Sequence, residues 1–168
     1  QEVLRFAPLG AAELAAAEQG TPPSYIGEHR DTGIAWHPYD MPAQPYEGFD
    51  RSLDVMGDGS LILVDLPGHT PGHSGLFVNA GDGKRYFFSG DVTWAAQGLE
   101  QQKSRPAFTR WLTGVDWDAQ RNADTIAKVA ALKARLPALI VVPAHDEIVA
   151  RLLPAFPRFT DDMNGSGN

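Results

Sequence analysis

The chain has 168 residues, 43% hydrophobic and 21% charged, a composition that supports one folded domain with a real core. Fourteen Lys and Arg against 21 Asp and Glu give a net charge of −7, with no basic run longer than Lys84-Arg85, which argues against a grip on nucleic acid. No Cys is present, which rules out disulfides and a thiolate nucleophile, and the longest apolar run, around Ala138–Val142, is far too short to span a bilayer.

The chain starts Gln1-Glu2-Val3 without Met, and neither a basic nor an apolar leader segment follows. We expect a processed end or a cut inside a longer gene product, and a cytoplasmic location. Residues 11–18, AAELAAAE, predict a short helix ending at Gly20. Residues 20–50 hold Pro22, Pro23, Pro38, Pro42 and Pro45 among Tyr25, Trp36, Tyr39, Tyr46 and Phe49, which predicts an ordered aromatic loop packed over something. From residue 53 the pattern becomes short strands. Leu53–Met56 and Leu61–Leu66 flank Gly57-Asp58-Gly59, and Leu76–Asn79 and Arg85–Ser89 flank Gly81-Asp82-Gly83, two hairpin signals.

Residues 92–114 are irregular and bear Trp94, Phe108 and Trp111. Asp116 or Asp118 can cap a helix running to about Leu136, with Ile126, Val129, Ala130 and Leu136 near one face; Pro137 ends it. Ala138–Val142 between prolines predicts a buried strand, and Glu147–Leu153 a last short helix. The order predicts an α+β fold with non-parallel pairing.

Three strings carry chemistry, each at the end of a predicted strand: LPGHTPGHSGL (66–76) with His69 and His73, Ser89-Gly90-Asp91, and Pro143-Ala144-His145-Asp146. Glycine and proline preset the first loop and give an imidazole there a fixed direction. Taken singly, each has a plain structural explanation: a hydrogen-bonded turn histidine, a turn or cap aspartate, a surface histidine. Taken together, His, Asp and His delivered to one rim of a sheet are the donor types zinc uses when one position stays open to water. No Gly-rich phosphate loop and no G-x-S-x-G string occurs, so neither a P-loop enzyme nor a serine hydrolase is supported.

GHTPGHS before a hairpin, then SGD, then an apolar strand into PAHD resembles the later ligand motifs of the metallo-β-lactamase superfamily, over about residues 50–150. The resemblance implies that His69, Asp91 and His145 bind metal, with Asp91 bridging two zinc ions and orienting the nucleophile, and that His73 and Asp146 stand behind the ligands. It implies a hydrolase in which a hydroxide between two metals about 3.5–4 Å apart attacks an ester, lactone or thioester carbonyl. Trp94, Trp36 and Tyr25 are expected to line an apolar pocket for a small-molecule substrate.

The family's His-x-His-x-Asp-His cluster does not occur in these 168 residues. The resemblance therefore implies the second half of an αβ/βα sandwich, a mixed, largely antiparallel sheet with helices on its outer face: residues 1–50 a linker helix and aromatic loop, 51–160 the second αβ half, and 161–168 a flexible tail. Such a half is expected to be inactive alone, and to pack against a first half or against a copy of itself. The alternative is a half-domain that binds a partner and catalyses nothing.

Overall fold

A computed structural model describes residues 6–20, 25, 35–93, 95, 98, 116–151 and 153. Its elements in chain order are β1 (Phe6–Gly10), α1 (Ala11–Gln19), β2 (Ala35–Tyr39), β3 (Ser52–Asp54), β4 (Leu61–Asp65), β5 (Ser74–Asn79), β6 (Arg85–Gly90), α2 (Ala119–Arg135), β7 (Ile140–Pro143) and α3 (Glu147–Ala150). The Trp111 and Phe108 segment and the tail from residue 161 lie outside the described residues.

The main sheet has five strands in the order β3-β4-β5-β6-β7. The first three pairings are antiparallel, the outer two closed by the predicted Gly-Asp-Gly turns and the middle one by the loop that carries His69 and His73, and β7 returns parallel to β6 after the crossover through α2. The sheet is thus mixed and largely antiparallel, as the resemblance implies, and only this one parallel pairing departs from the non-parallel order read along the chain. It follows from the length of the connection, since a parallel return needs a crossover of a dozen residues or more. A second departure is in the N-terminal region, where β1 and β2 pair in parallel as a separate two-stranded sheet. The aromatic loop expected over 20–50 thus contains a strand.

The strands alternate. Ile62 and Val64 of β4, Phe77 of β5, Phe87 of β6 and Val141 of β7 share one core with Phe49, Leu66 and Val92 and with Ile126, Val129 and Leu132 of α2. Each such side chain contributes about 1.5–3 kcal/mol on full burial, so α2 is held to this face by its apolar stripe. Phe77 and Phe87 stack at 4.3 Å between centroids, and Phe49 meets Phe87 at 5.6 Å. α2 starts at Asp118, whose carboxylate accepts from the amides of Gln120 and Arg121, and stops at Leu136 before Pro137.

The register sets Leu53, Leu63, Leu76, Phe88 and Val142 in one row across the sheet, and Leu61, Val78, Tyr86 and Ile140 in the next. By alternation these residues point away from α2. Most are only half-buried: Leu61, Leu63, Leu76, Val78 and Phe88 all retain exposure. Among the described residues no helix is long and apolar enough to cross a membrane.

Candidate metal centre

The loop between β4 and β5 is closed by its own ends. The Leu66 amide donates to the His73 carbonyl at 2.8 Å, and His73 Nδ1 lies 3.1 Å from the Leu66 carbonyl. A carbonyl only accepts, so Nδ1 carries the proton and Nε2 is left as an acceptor. The Asp91 amide donates to that Nε2 at 3.1 Å. Both nitrogens of His73 are therefore engaged in tying the first histidine loop to the end of β6. Burial pushes this imidazole below its usual pKa, which keeps it neutral for both bonds.

The glycine of SGD is required here. Gly90 has φ +56°, and a Cβ on it would stand 2.6 Å from His73 Nε2. Gly68, just before His69, has φ +144°, and a Cβ there would meet the Asn122 backbone at 2.4 Å. That closeness lets the start of α2 grip the loop. The Trp117 amide donates to the His69 carbonyl at 2.9 Å, the Asp118 amide to the Gly68 carbonyl at 2.9 Å, and the Thr125 hydroxyl to the Pro67 carbonyl at 2.8 Å.

The parallel pairing of β7 with β6 brings in the third string. The Ala144 amide donates to the Gly90 carbonyl at 3.0 Å, so the next residue on each chain, His145 and Asp91, come side by side. His145 Nε2 lies 2.9 Å from Asp91 Oδ1, and His69 Nε2 lies 4.0 Å from Asp91 Oδ2. The carboxylate thus faces one imidazole with each oxygen. His69 is the enclosed member and His145, at 63% side-chain exposure, the open one.

In kind, an imidazole, a carboxylate and a second imidazole at one sheet rim fit a divalent metal of zinc's preferences. In geometry, no three His, Asp or Glu among the described residues close as a metal shell. The remaining expected residues are accounted for in turn. Asp146 caps α3, its Oδ1 accepting from the Val149 amide at 3.0 Å. Trp94 lies outside the described residues. Trp36 is in β2, paired with Ala7.

Tyr25 donates its hydroxyl to Glu13 Oε1 at 3.0 Å, and Glu13 Oε2 accepts from the Gly72 amide at 2.9 Å. Burial first, then the Glu13 carboxylate, push the Tyr25 phenol well above its usual pKa. Two cavities of about 280 and 240 Å³ open on this α1 side of the loop; both are lined by Gly10, Tyr39, Gly72 and Ser74, and neither by His69, Asp91 or His145.

Two residues near the site lie outside the expected set. Glu13 of α1 anchors the loop at Gly72, and Asp116 lies behind His69, 3.4 Å from its Nδ1. The one available signal for Asp116 was the pair Asp116-Trp117-Asp118 ahead of a helix, of which only one carboxylate is needed as the cap.

The described sheet, with its helix on one face and its three strings at one rim, has the metallo-β-lactamase lactonase fold over about half the length of the solved chains that share it. No protein-family model matches the chain. It is 30% identical over 99 residues to the N-acyl homoserine lactonase AttM of Rhizobium radiobacter, covering 58% of this chain and 34% of the relative. It is 31% identical over 107 residues to a probable metallo-hydrolase of Mycobacterium tuberculosis, covering 61% and 34%.

Among solved structures it is similar to an N-acyl homoserine lactone hydrolase with the product N-hexanoyl-L-homoserine bound at the catalytic metal centre. The TM-score is 0.66 at 15% identity, over 90% of this chain and 51% of that one. A quorum-quenching N-acyl homoserine lactone lactonase gives 0.65 at 15%, over 90% and 53%. The chain thus spans about a third of the length of the curated relatives it matches and about half of these solved chains.

Proposed function

We propose that this chain supplies part of the metal centre of a hydrolase acting on an ester, lactone or thioester carbonyl. The observation that carries the reading is the meeting of His69 and His145 on the two oxygens of Asp91. The names of the curated relatives, a lactonase and a metallo-hydrolase, support it. His69, Asp91 and His145 would hold the metal, with zinc the first candidate because two imidazoles and a carboxylate are its usual donors. When bound, such a metal supplies a Lewis acid and makes water a usable nucleophile near neutral pH.

The chain's own residues do the positioning. Asp91 is held by its backbone to His73, so its carboxylate keeps its direction at the rim. His69 is enclosed and fixed by the start of α2. His145, exposed, borders the side from which a small substrate would approach. Three donors fill only part of a dinuclear set, so we infer that the chain needs a complementary half, carrying the other ligands, for turnover. The half-buried row Leu63, Leu76 and Phe88 is the surface such a half would cover.

Zinc titration followed by dialysis and metal analysis tests the reading. We expect bound zinc in the native protein and its loss in His69→Ala, Asp91→Asn and His145→Ala. Hydrolysis of a lactone, ester and thioester panel is expected only when a complementary half is supplied. Native protein that retains no zinc under any condition would favour a half-domain that serves only to pack against a partner.

A further inference from the structure

His69 stands between two carboxylates of opposite character. In front, its Nε2 faces Asp91, whose side chain is 34% exposed; behind, its Nδ1 lies 3.4 Å from Oδ1 of Asp116, whose side chain is 1% exposed. The segment bearing Asp116 also grips the His69 loop on three consecutive carbonyls, those of Pro67, Gly68 and His69. Asp116 is not spent on capping the helix, since Asp118 does that two residues later.

We propose that Asp116 is the positioning residue of His69, fixing which ring nitrogen carries the proton. A neutral imidazole has one N–H, and an ionised carboxylate can only accept. With Asp116 behind the ring, the proton sits on Nδ1 and the Nε2 lone pair is directed toward Asp91. That is the form in which Nε2 can bind a metal. The backbone grip adds the second half of the constraint, because neither the loop nor the ring can turn without breaking the contacts at 116–125. The metal-binding part of this inference rests on the function proposed above; the tautomer part rests on the ring and Asp116 alone.

The test measures the two parts separately on the purified protein. Long-range ¹H–¹⁵N correlation of the imidazoles, without metal, reads the His69 tautomer in native protein and in Asp116→Ala, Asp116→Leu and Asp116→Glu. The His73 signals, fixed by Leu66 and Asp91, report whether each variant is folded. Competition with a chromophoric chelator then reads zinc affinity. We expect an Nδ1–H form in native protein, an Nε2–H or mixed form in Asp116→Ala, and zinc affinity lower by about 10- to 100-fold, partly restored in Asp116→Glu.

His69 remaining wholly Nδ1–H in folded Asp116→Ala overturns the proposal. Should Asp116→Ala not fold, Asp116→Leu, which fills the same space without an acceptor, is read in the same way, and a wholly Nδ1–H His69 in it overturns the proposal. If the tautomer shifts as expected but native protein binds no zinc, the metal reading fails while the role of Asp116 toward His69 stands.

Discussion

The Asp91 amide donates to His73 Nε2 at 3.1 Å, joining two strings that lie eighteen residues apart at the ends of different strands. The bond explains why the second histidine of the loop is present although it points at no open donor site. His73 sets where the chain turns out of β6, and so where the Asp91 carboxylate starts. Replacing it with Ala removes a donor to the Leu66 carbonyl and an acceptor for the Asp91 amide inside a mostly buried loop. A buried group left unsatisfied costs about 1–3 kcal/mol. We expect His73→Ala to lower unfolding free energy in urea by about that amount. It should also weaken zinc binding less than His69→Ala does. A variant as stable as native protein would show that the bond contributes nothing.

Gly68 and Gly90 are required by contact as well as by conformation, and a control glycine separates the two demands. Gly68→Ala must push α2 away from the loop at the Asn122 backbone, and Gly90→Ala must displace the His73 ring. Gly81 has open space where a Cβ would go and no left-handed φ. Thermal melts should rank Gly81→Ala near native, with both site glycines lower by at least about 1–2 kcal/mol, the cost of a left-handed conformation alone. Equal melting of all three variants would contradict the packing described for the loop.

How much of this was legible in the sequence depends on the range of each contact. The hairpins around Gly57-Asp58-Gly59 and Gly81-Asp82-Gly83 and the helix before Pro137 rest on local signals, and they stand where those signals place them. The three chemical strings are each local, and strand ends deliver them to one rim. The β1–β2 pair was not legible: each strand contains a proline, Pro8 and Pro38, which ordinarily demotes a run as a strand. A two-stranded sheet is all edge, so it tolerates them. Asp116 was hidden because its contact with His69 spans 47 residues, and nothing in local spacing distinguishes it from the cap at Asp118.

Glu47 links two elements of the fold. Its carboxylate meets Arg135 at the end of α2 at 2.7 Å and Arg85 at the start of β6 at 2.9 Å, and its carbonyl accepts from Arg135 at 2.9 Å. Burial alone would push the Glu47 carboxyl up; hydrogen bonds and charge from Arg135 and Arg85 outweigh it and hold the group below its usual pKa of 4.5. A carboxyl depressed in the folded state stabilises the protein above its unfolded pKa, and that contribution is lost as pH falls through the folded value. Glu47→Gln should therefore cost about 1 kcal/mol or less at pH 7, since the arginines are partly exposed. The gap from native protein should narrow on acidification below about pH 4.5. A gap that stays constant from pH 7 to pH 3 would assign the loss to something other than charge.

The last prediction concerns the sheet face turned away from α2. Leu53, Leu63, Leu76 and Phe88 line up in register across four strands, with Leu61 and Val78 in the next row, and most of them retain exposure. A contiguous apolar patch larger than a few hundred Å² is unusual on a soluble monomer and marks a surface that is covered in use. The solved structures with this fold are about twice the length of the matched region, which supports a second half as the covering element. We therefore expect the 168-residue chain by itself to associate, through this face, into species larger than 18.2 kDa. Light scattering coupled to size exclusion reads this directly. Leu76→Lys, placed at the centre of the row, should shift the distribution toward monomer. Because Leu76 points away from the core around Phe77 and Phe87, the main sheet should remain folded by circular dichroism. An 18.2 kDa species that melts cooperatively, with Leu76→Lys making no difference to its mass, would mean that the face is covered within the chain.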